Sequence, residues 1–161
     1  MNTADYNTCV DNHADGVYRF ILKNMKDEDQ ARDVVQDAFE KMWLKVDEIN
    51  PEKAKSYLFT TAYRTMIDYF RKSKKESRME DSHLNTLHTE RQYSDLNEVL
   101  HEALGRLPEI QRSVVLLRDY EGYNYNEIGE ITSLSESQVK VYIFRARTSL
   151  KEYLVSIDYL I

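Results

Sequence analysis

Between Gln138 and Lys151 the chain sets four cations, Lys140, Arg145, Arg147 and Lys151, with no acid among them. Ser137 and Gln138, at the head of the same stretch, carry groups that hydrogen-bond to base edges. The surrounding sequence, "YNEIGEITSLSESQVKVYIFRARTSL", has the form of a short helix, a turn and a longer helix. Ile128, Ile131 and Leu134 are spaced to pack inward. Ser135 is a good N-cap, with Gln138 three residues on, and Val139, Ile143, Ala146 and Leu150 give the second helix a buried side. A helix-turn-helix presents the first turns of its second helix to the bases. Ser137, Gln138, Lys140 and Val141 are therefore the candidate readers, and Phe144 is available on the same helix. Arg145 and Arg147 are the candidate phosphate ligands.

A second constellation lies upstream. Residues 53–78 hold eight cations and two acids. Tyr57, Thr61, Arg64, Asp68, Arg71 and Lys75 recur at 3–4 spacing and share one helix face with Ala54, and Lys72 adds a cation beside them. A ring, hydrogen-bonding groups and cations on one face are what single-stranded DNA asks for, stacking plus backbone neutralisation. Phe59, Tyr63 and Phe70 fall on the face of Ile67 and are expected in the core. A third pattern is acidic: in "KDEDQARDVVQDAFEKMWLKV" an apolar stripe from Ala31 to Val46 lies opposite Asp33, Gln36, Asp37 and Glu40. By itself that face reads first as a plain solvated surface, and only second as a dock for a basic partner helix.

The elements that must position these groups are helical. The 161 residues are 42% hydrophobic and 31% charged, with four glycines and two prolines, which suits an all-α protein rather than a sheet with many tight turns. Helical spacing marks a first helix through Val17, Phe20, Ile21 and Met25, a second from Asp27 or Asp29, a third from Lys55 to about Lys75, and two more ahead of the helix-turn-helix. Pro108 stands where a helix starts and Gly122 where one stops. Residues 79–93 have no clear period and read as a linker between residues 1–78 and 94–161. Fifteen extended residues reach about 50 Å, more than one DNA turn of roughly 34 Å, so the two halves can engage separate sites.

Composition also excludes classes. Met1 to Gly16 is polar and acidic, unlike a secretory signal, and no apolar run approaches the roughly 20 residues that span a bilayer, so we expect a cytoplasmic chain with no membrane insertion. The lone Cys9 permits no internal disulfide and, with His13, is too sparse for zinc. Glu98 and His101 have the spacing of a di-iron ligand pair without the further carboxylates that site needs. With no glycine-rich phosphate loop and no nucleophile elbow, we expect no catalysis, no cofactor and no metal.

The motifs from Leu107-Pro108 through Gln111-Arg112, Leu117-Arg118, Glu121-Gly122, Glu127-Ile128-Gly129 and Gln138-Val139 to Arg145-Ala146-Arg147 closely resemble region 4 of the extracytoplasmic-function (group IV) sigma factors. "ARDVVQDAFEKMW" and "KSYLFTTAYRTMIDYFRKSKK" resemble region 2 of the same family, and the two halves stand in the family's order. The resemblance implies a helical bundle and a helix-turn-helix that together direct core RNA polymerase to promoters. It implies that Asp33, Gln36, Asp37 and Glu40 dock on the clamp helices of the polymerase β′ subunit, with further contact to the β subunit. The face from Tyr57 to Lys75 would then capture the melted minus-ten element, and the recognition helix would read the minus-thirty-five element as a duplex. An anti-sigma factor is implied as well. Four positions depart from the family pattern: Gly129 stands for Ala, Gln138 for Thr, Tyr57 for Trp and Arg64 for Asn. A helix-turn-helix activator and a helical adaptor that reads no DNA are the rival readings. A net charge of −6 fits a protein that borrows its DNA affinity from a larger enzyme.

Overall fold

The fold is that of a computed structural model, which describes residues 1–79 and 96–158, with side chains over 1–76 and 98–157. Among the described residues there is no strand. The helices are α1 (Thr3–Met25), α2 (Glu28–Leu44), α3 (Ala54–Met79), α4 (Leu96–Gly105), α5 (Glu109–Val115), α6 (Tyr125–Thr132) and α7 (Glu136–Asp158). The expected linker, residues 79–93, lies outside the described residues beyond Met79.

α1 is far longer than its apolar spacing suggests, because Asn2 and Asp5 form a reciprocal capping box that starts it at the chain's beginning. It stops at Lys26, in the left-handed region, whose N–H reaches Leu22 O. Asp27, one of the two caps expected, accepts from Gln30 N and begins α2. The stretch around Pro51 is not featureless: Asn50 caps a 3-10 turn, Pro51–Lys53, that leads directly into α3. α5 begins after Pro108 and runs into a π-helical turn, Leu116–Tyr120, which ends before Gly122 at φ 77°. Asn124 and Glu127 box the start of α6.

α1, α2 and α3 pack on one another to form the first module; α5, α6 and α4 pack around α7 to form the second. Phe20, Ile21, Met42, Leu58, Phe59 and Met66 fill the first core, and Leu116, Leu117, Ile128, Ile131 and Ile143 the second. Each such side chain contributes about 1.5–3 kcal/mol on burial. Both modules expected from the sequence are present, and they also pack against each other: α6 lies on α3, and α4 and α5 lie on α1.

Candidate nucleic-acid interface and docking face

The turn between α6 and α7 sets the recognition helix. Ser135 N donates to Gln138 Oε1 at 2.9 Å and Gln138 N donates to Ser135 Oγ at 3.2 Å, a closed capping box. Ser133 takes the left-handed conformation at φ 61°, and both Ser133 N and Leu134 N donate to the Gly129 carbonyl. The turn is so tight that a Cβ on Gly129 would lie 2.7 Å from the Leu134 carbonyl oxygen. That contact gives a physical reason for the glycine where the resemblance has alanine.

Val139, Ile143 and Ala146 are buried as expected, while Leu150 is half-buried. Ser137, Gln138, Lys140, Val141, Phe144, Arg145 and Arg147 are all exposed, so α7 brings the seven nominated residues to one accessible flank. Val141 is 45% and Phe144 71% exposed, an apolar pair suited to thymine methyl groups. The polar members are partly engaged. Lys140 lies 3.7 Å from Glu136 and over the Tyr125 ring, and Arg145 sits over Tyr142. Arg147 grips Asp119 with two hydrogen bonds, one from Nε at 3.1 Å, and that carboxylate raises the guanidinium's pKa. Arg147 thus has an intramolecular partner that the sequence did not announce.

On α3 the cations stand clear. Arg64, Asp68, Arg71, Lys72 and Lys75 are exposed, and within this face Arg71 pairs with Asp68 at 3.3 Å. Thr61 is half-buried, and its hydroxyl donates to Tyr57 O at 2.8 Å, which leaves only its oxygen for a ligand. Tyr57, expected in the open, is half-buried against the core, and Ala54 is buried. Both sit where α3 emerges from the Pro51 turn, and Ala54 lies close to Cys9 and His13 of α1. Phe59 and Tyr63 are buried as expected, and burial pushes the Tyr63 phenol up to about 12.

α2 presents Asp33, Gln36, Asp37 and Glu40, all exposed. Beside them lies a feature the periodicity hid. Trp43 is 45% exposed and Leu44 83%, although Trp43 belongs to the apolar stripe. With Tyr6, Tyr18, Val35 and Phe39 they line an apolar groove of about 650 Å³ between α1 and α2, rimmed by Gln36, Glu40 and Arg32. Tyr6 stacks edge-on to Trp43 at 5.0 Å and donates to Phe39 O, which holds the groove's wall.

An acidic helix with an apolar groove, a basic helix and a helix-turn-helix in one chain define a transcription protein of multipartite grip. Residues 9–76 match the sigma-70 region 2 family, and residues 97–150 match the sigma-70 region 4 family. The chain is 34% identical to RNA polymerase sigma factor SigV of Bacillus subtilis, over 94% of this chain and 92% of that one. It is also 34% identical to the ECF sigma factor SigM of the same organism, over 84% and 86%. Its fold superposes with TM-score 0.82 on the sigma factor RpoE of Bartonella quintana, solved with the anti-sigma factor NepR, at 25% identity over 93% of this chain and 96% of that one. The chain belongs to the extracytoplasmic-function sigma factors. It is an alternative RNA polymerase sigma factor, acting in transcription initiation. Among the described residues no helix is long and apolar enough to cross a membrane.

Proposed function

We propose that this chain is a regulatory subunit, not itself a catalyst, that works in the cytoplasm by dividing promoter recognition among three helices. α2 docks on the clamp helices of the polymerase β′ subunit through Asp33, Gln36, Asp37 and Glu40, where carboxylates and an amide on one face suit a basic partner helix. The apolar groove beside them supplies the desolvated anchor that charged pairs alone lack. α3 holds the melted minus-ten strand through Tyr57, Thr61, Arg64, Asp68, Arg71, Lys72 and Lys75. α7 reads the minus-thirty-five duplex through Ser137, Gln138, Lys140 and Val141, with Phe144 on a methyl group and Arg145 and Arg147 at phosphates. An anti-sigma factor covers these surfaces; the Bartonella relative was solved in complex with one.

The observation that carries this reading is that α2, α7 and the cationic part of α3 from Arg64 to Lys75 are exposed together on separate helices of one chain. The test is transcription in vitro with core polymerase and this protein alone. Asp33→Ala with Gln36→Ala should remove the protein from core on co-purification. Lys140→Ala should leave assembly intact and abolish dependence on the upstream element. Transcription by the activator route, needing a second sigma factor, would sink the proposal.

A further inference from the structure

Gln138 is held in place before any DNA arrives. Its side-chain Oε1 accepts from Ser135 N at 2.9 Å, and its own backbone N donates to Ser135 Oγ at 3.2 Å. A backbone N–H can only donate, so the atom it meets is the amide oxygen and not the amide nitrogen. The cap therefore fixes which end of the amide is engaged. The oxygen belongs to the turn, and the NH2 group is what remains for a ligand. Gln138 is exposed, and with Ser137, Val141, Tyr142 and Arg145 it lines a hollow of about 190 Å³ on α7. Gln138, Val141 and Arg145 stand at i, i+3 and i+7, so they form one ridge along the helix.

An unconstrained glutamine reads adenine with both ends of its amide, the oxygen accepting from N6 and the nitrogen donating to N7. Gln138 cannot do so while its oxygen caps α7. A lone NH2 group matches acceptors only. Guanine offers two, N7 and O6, and thymine offers O4, whereas adenine sets its N6 donor beside N7 and cytosine shows only the N4 donor. Two donors that face each other are both left unsatisfied once water is excluded. Gln138 is also a position where the chain departs from the family pattern, which has Thr, so that pattern does not prescribe what it reads.

We propose that the capping box makes Gln138 a donor-only reader, which selects guanine at one position of the upstream duplex and rejects cytosine there. The inference rests on α7 reading the minus-thirty-five element, and adds which base one of its side chains requires. Releasing the amide would restore the adenine mode. It would also strand Ser135 N and fray the first turn of the helix that does the reading. Base choice and local fold thus share one hydrogen bond.

Holoenzyme built from core polymerase and the full-length chain tests this by competition binding to upstream-element duplexes that carry each of the four bases at each position. The wild type should prefer guanine over cytosine about tenfold at one position, with adenine well below guanine. Gln138→Glu keeps the cap, since glutamate is the usual partner of serine in such a box, but replaces the remaining NH2 group by an acceptor oxygen. Its preference at that position should invert to cytosine over guanine by about tenfold, whatever its overall affinity. Gln138→Met offers neither donor nor acceptor and should level the four bases there to within about twofold. A wild type that prefers adenine at a position which Gln138→Met levels means that the amide leaves the cap, and overturns the inference. So does a guanine preference that Gln138→Glu retains. A wild type with no base preference anywhere in the upstream duplex sinks the reading of α7 as well.

Discussion

α3 and α7, the two cationic helices proposed to face DNA, manage charge in opposite ways. Residues 53–78 hold eight cations against two acids, and on the face from Tyr57 to Lys75 Arg71 pairs with Asp68. On α7, Lys140 is paired with Glu136 and Arg147 with Asp119, inside a module that is acidic overall. Uncompensated charge gives affinity for any phosphate backbone and a steep salt dependence. Compensated charge gives little non-specific affinity and leaves discrimination to base edges and methyl groups. The difference fits the two proposed targets: a melted strand has no groove to read, whereas a duplex does. It also fits a net charge of −6 in a promoter-binding protein, because the basic faces are small and the heavier one is confined to α3.

The largest effect should come from stripping α3. Arg64→Ala, Lys72→Ala and Lys75→Ala together should lower the salt slope of the open complex by about 2, from roughly 0.7 per single-strand phosphate contact. At ~0.1 M salt that is about a hundredfold in stability of the melted complex, fading toward ~1 M. Permanganate reactivity of the melted bases across a salt series measures it. An unchanged slope would mean that α3 does not hold the strand by charge, and the contrast with α7 would fail.

Next in size is Gly129→Ala, which attacks α7 through its turn. Alanine gains about 1 kcal/mol in helix propensity, but a Cβ 2.7 Å from the Leu134 carbonyl forces a backbone shift costing roughly 1–3 kcal/mol. A net loss of about 1 kcal/mol should lower the melting temperature by about 2–4 °C. Dependence on the upstream element should weaken about fivefold, with minus-ten melting unaffected. A higher melting temperature would show that the turn relaxes, and that the glycine has another cause.

The contrast between the helices was only half legible in the sequence. Periodicity carried the buried sides of both, since Val139, Ile143 and Ala146, or Phe59, Tyr63 and Met66, repeat at 3–4 spacing whatever their surroundings. The Ser135–Gln138 box was legible too, because it is local. Three things were not. Arg147 meets Asp119 across 28 residues, and no local pattern announces such a pair. Tyr57 and Trp43 have exposures set by how the helices pack on one another, so that Tyr57 sinks and Trp43 surfaces. The packing of the two modules on each other was hidden for the same reason: Arg19 pairs with Glu121 across 102 residues, and each looks like an ordinary surface charge.

Two smaller substitutions sharpen the comparison. Val141→Ala should cost about 1 kcal/mol, roughly fivefold, on a promoter with a thymine at the contacted position and little elsewhere, with the salt slope unchanged. Competition binding of holoenzyme to upstream-element variants resolves it, and a loss uniform across sequences would count against base reading by this helix.

The smallest effect, and the most diagnostic, belongs to Asp119→Asn. The pair is half-exposed on both sides, at 49% and 39%, so its removal should cost under about 1 kcal/mol of stability. What it changes is Arg147. Freed from its carboxylate, the guanidinium becomes an uncompensated cation like those of α3. Holoenzyme affinity for the upstream duplex should then rise less than about threefold, and its salt slope should steepen by at most about 1. That gain should extend to non-promoter duplex, so specificity falls as affinity rises. If instead the affinity drops, Asp119 is aiming Arg147 at its phosphate, and compensation on α7 serves orientation as well as restraint.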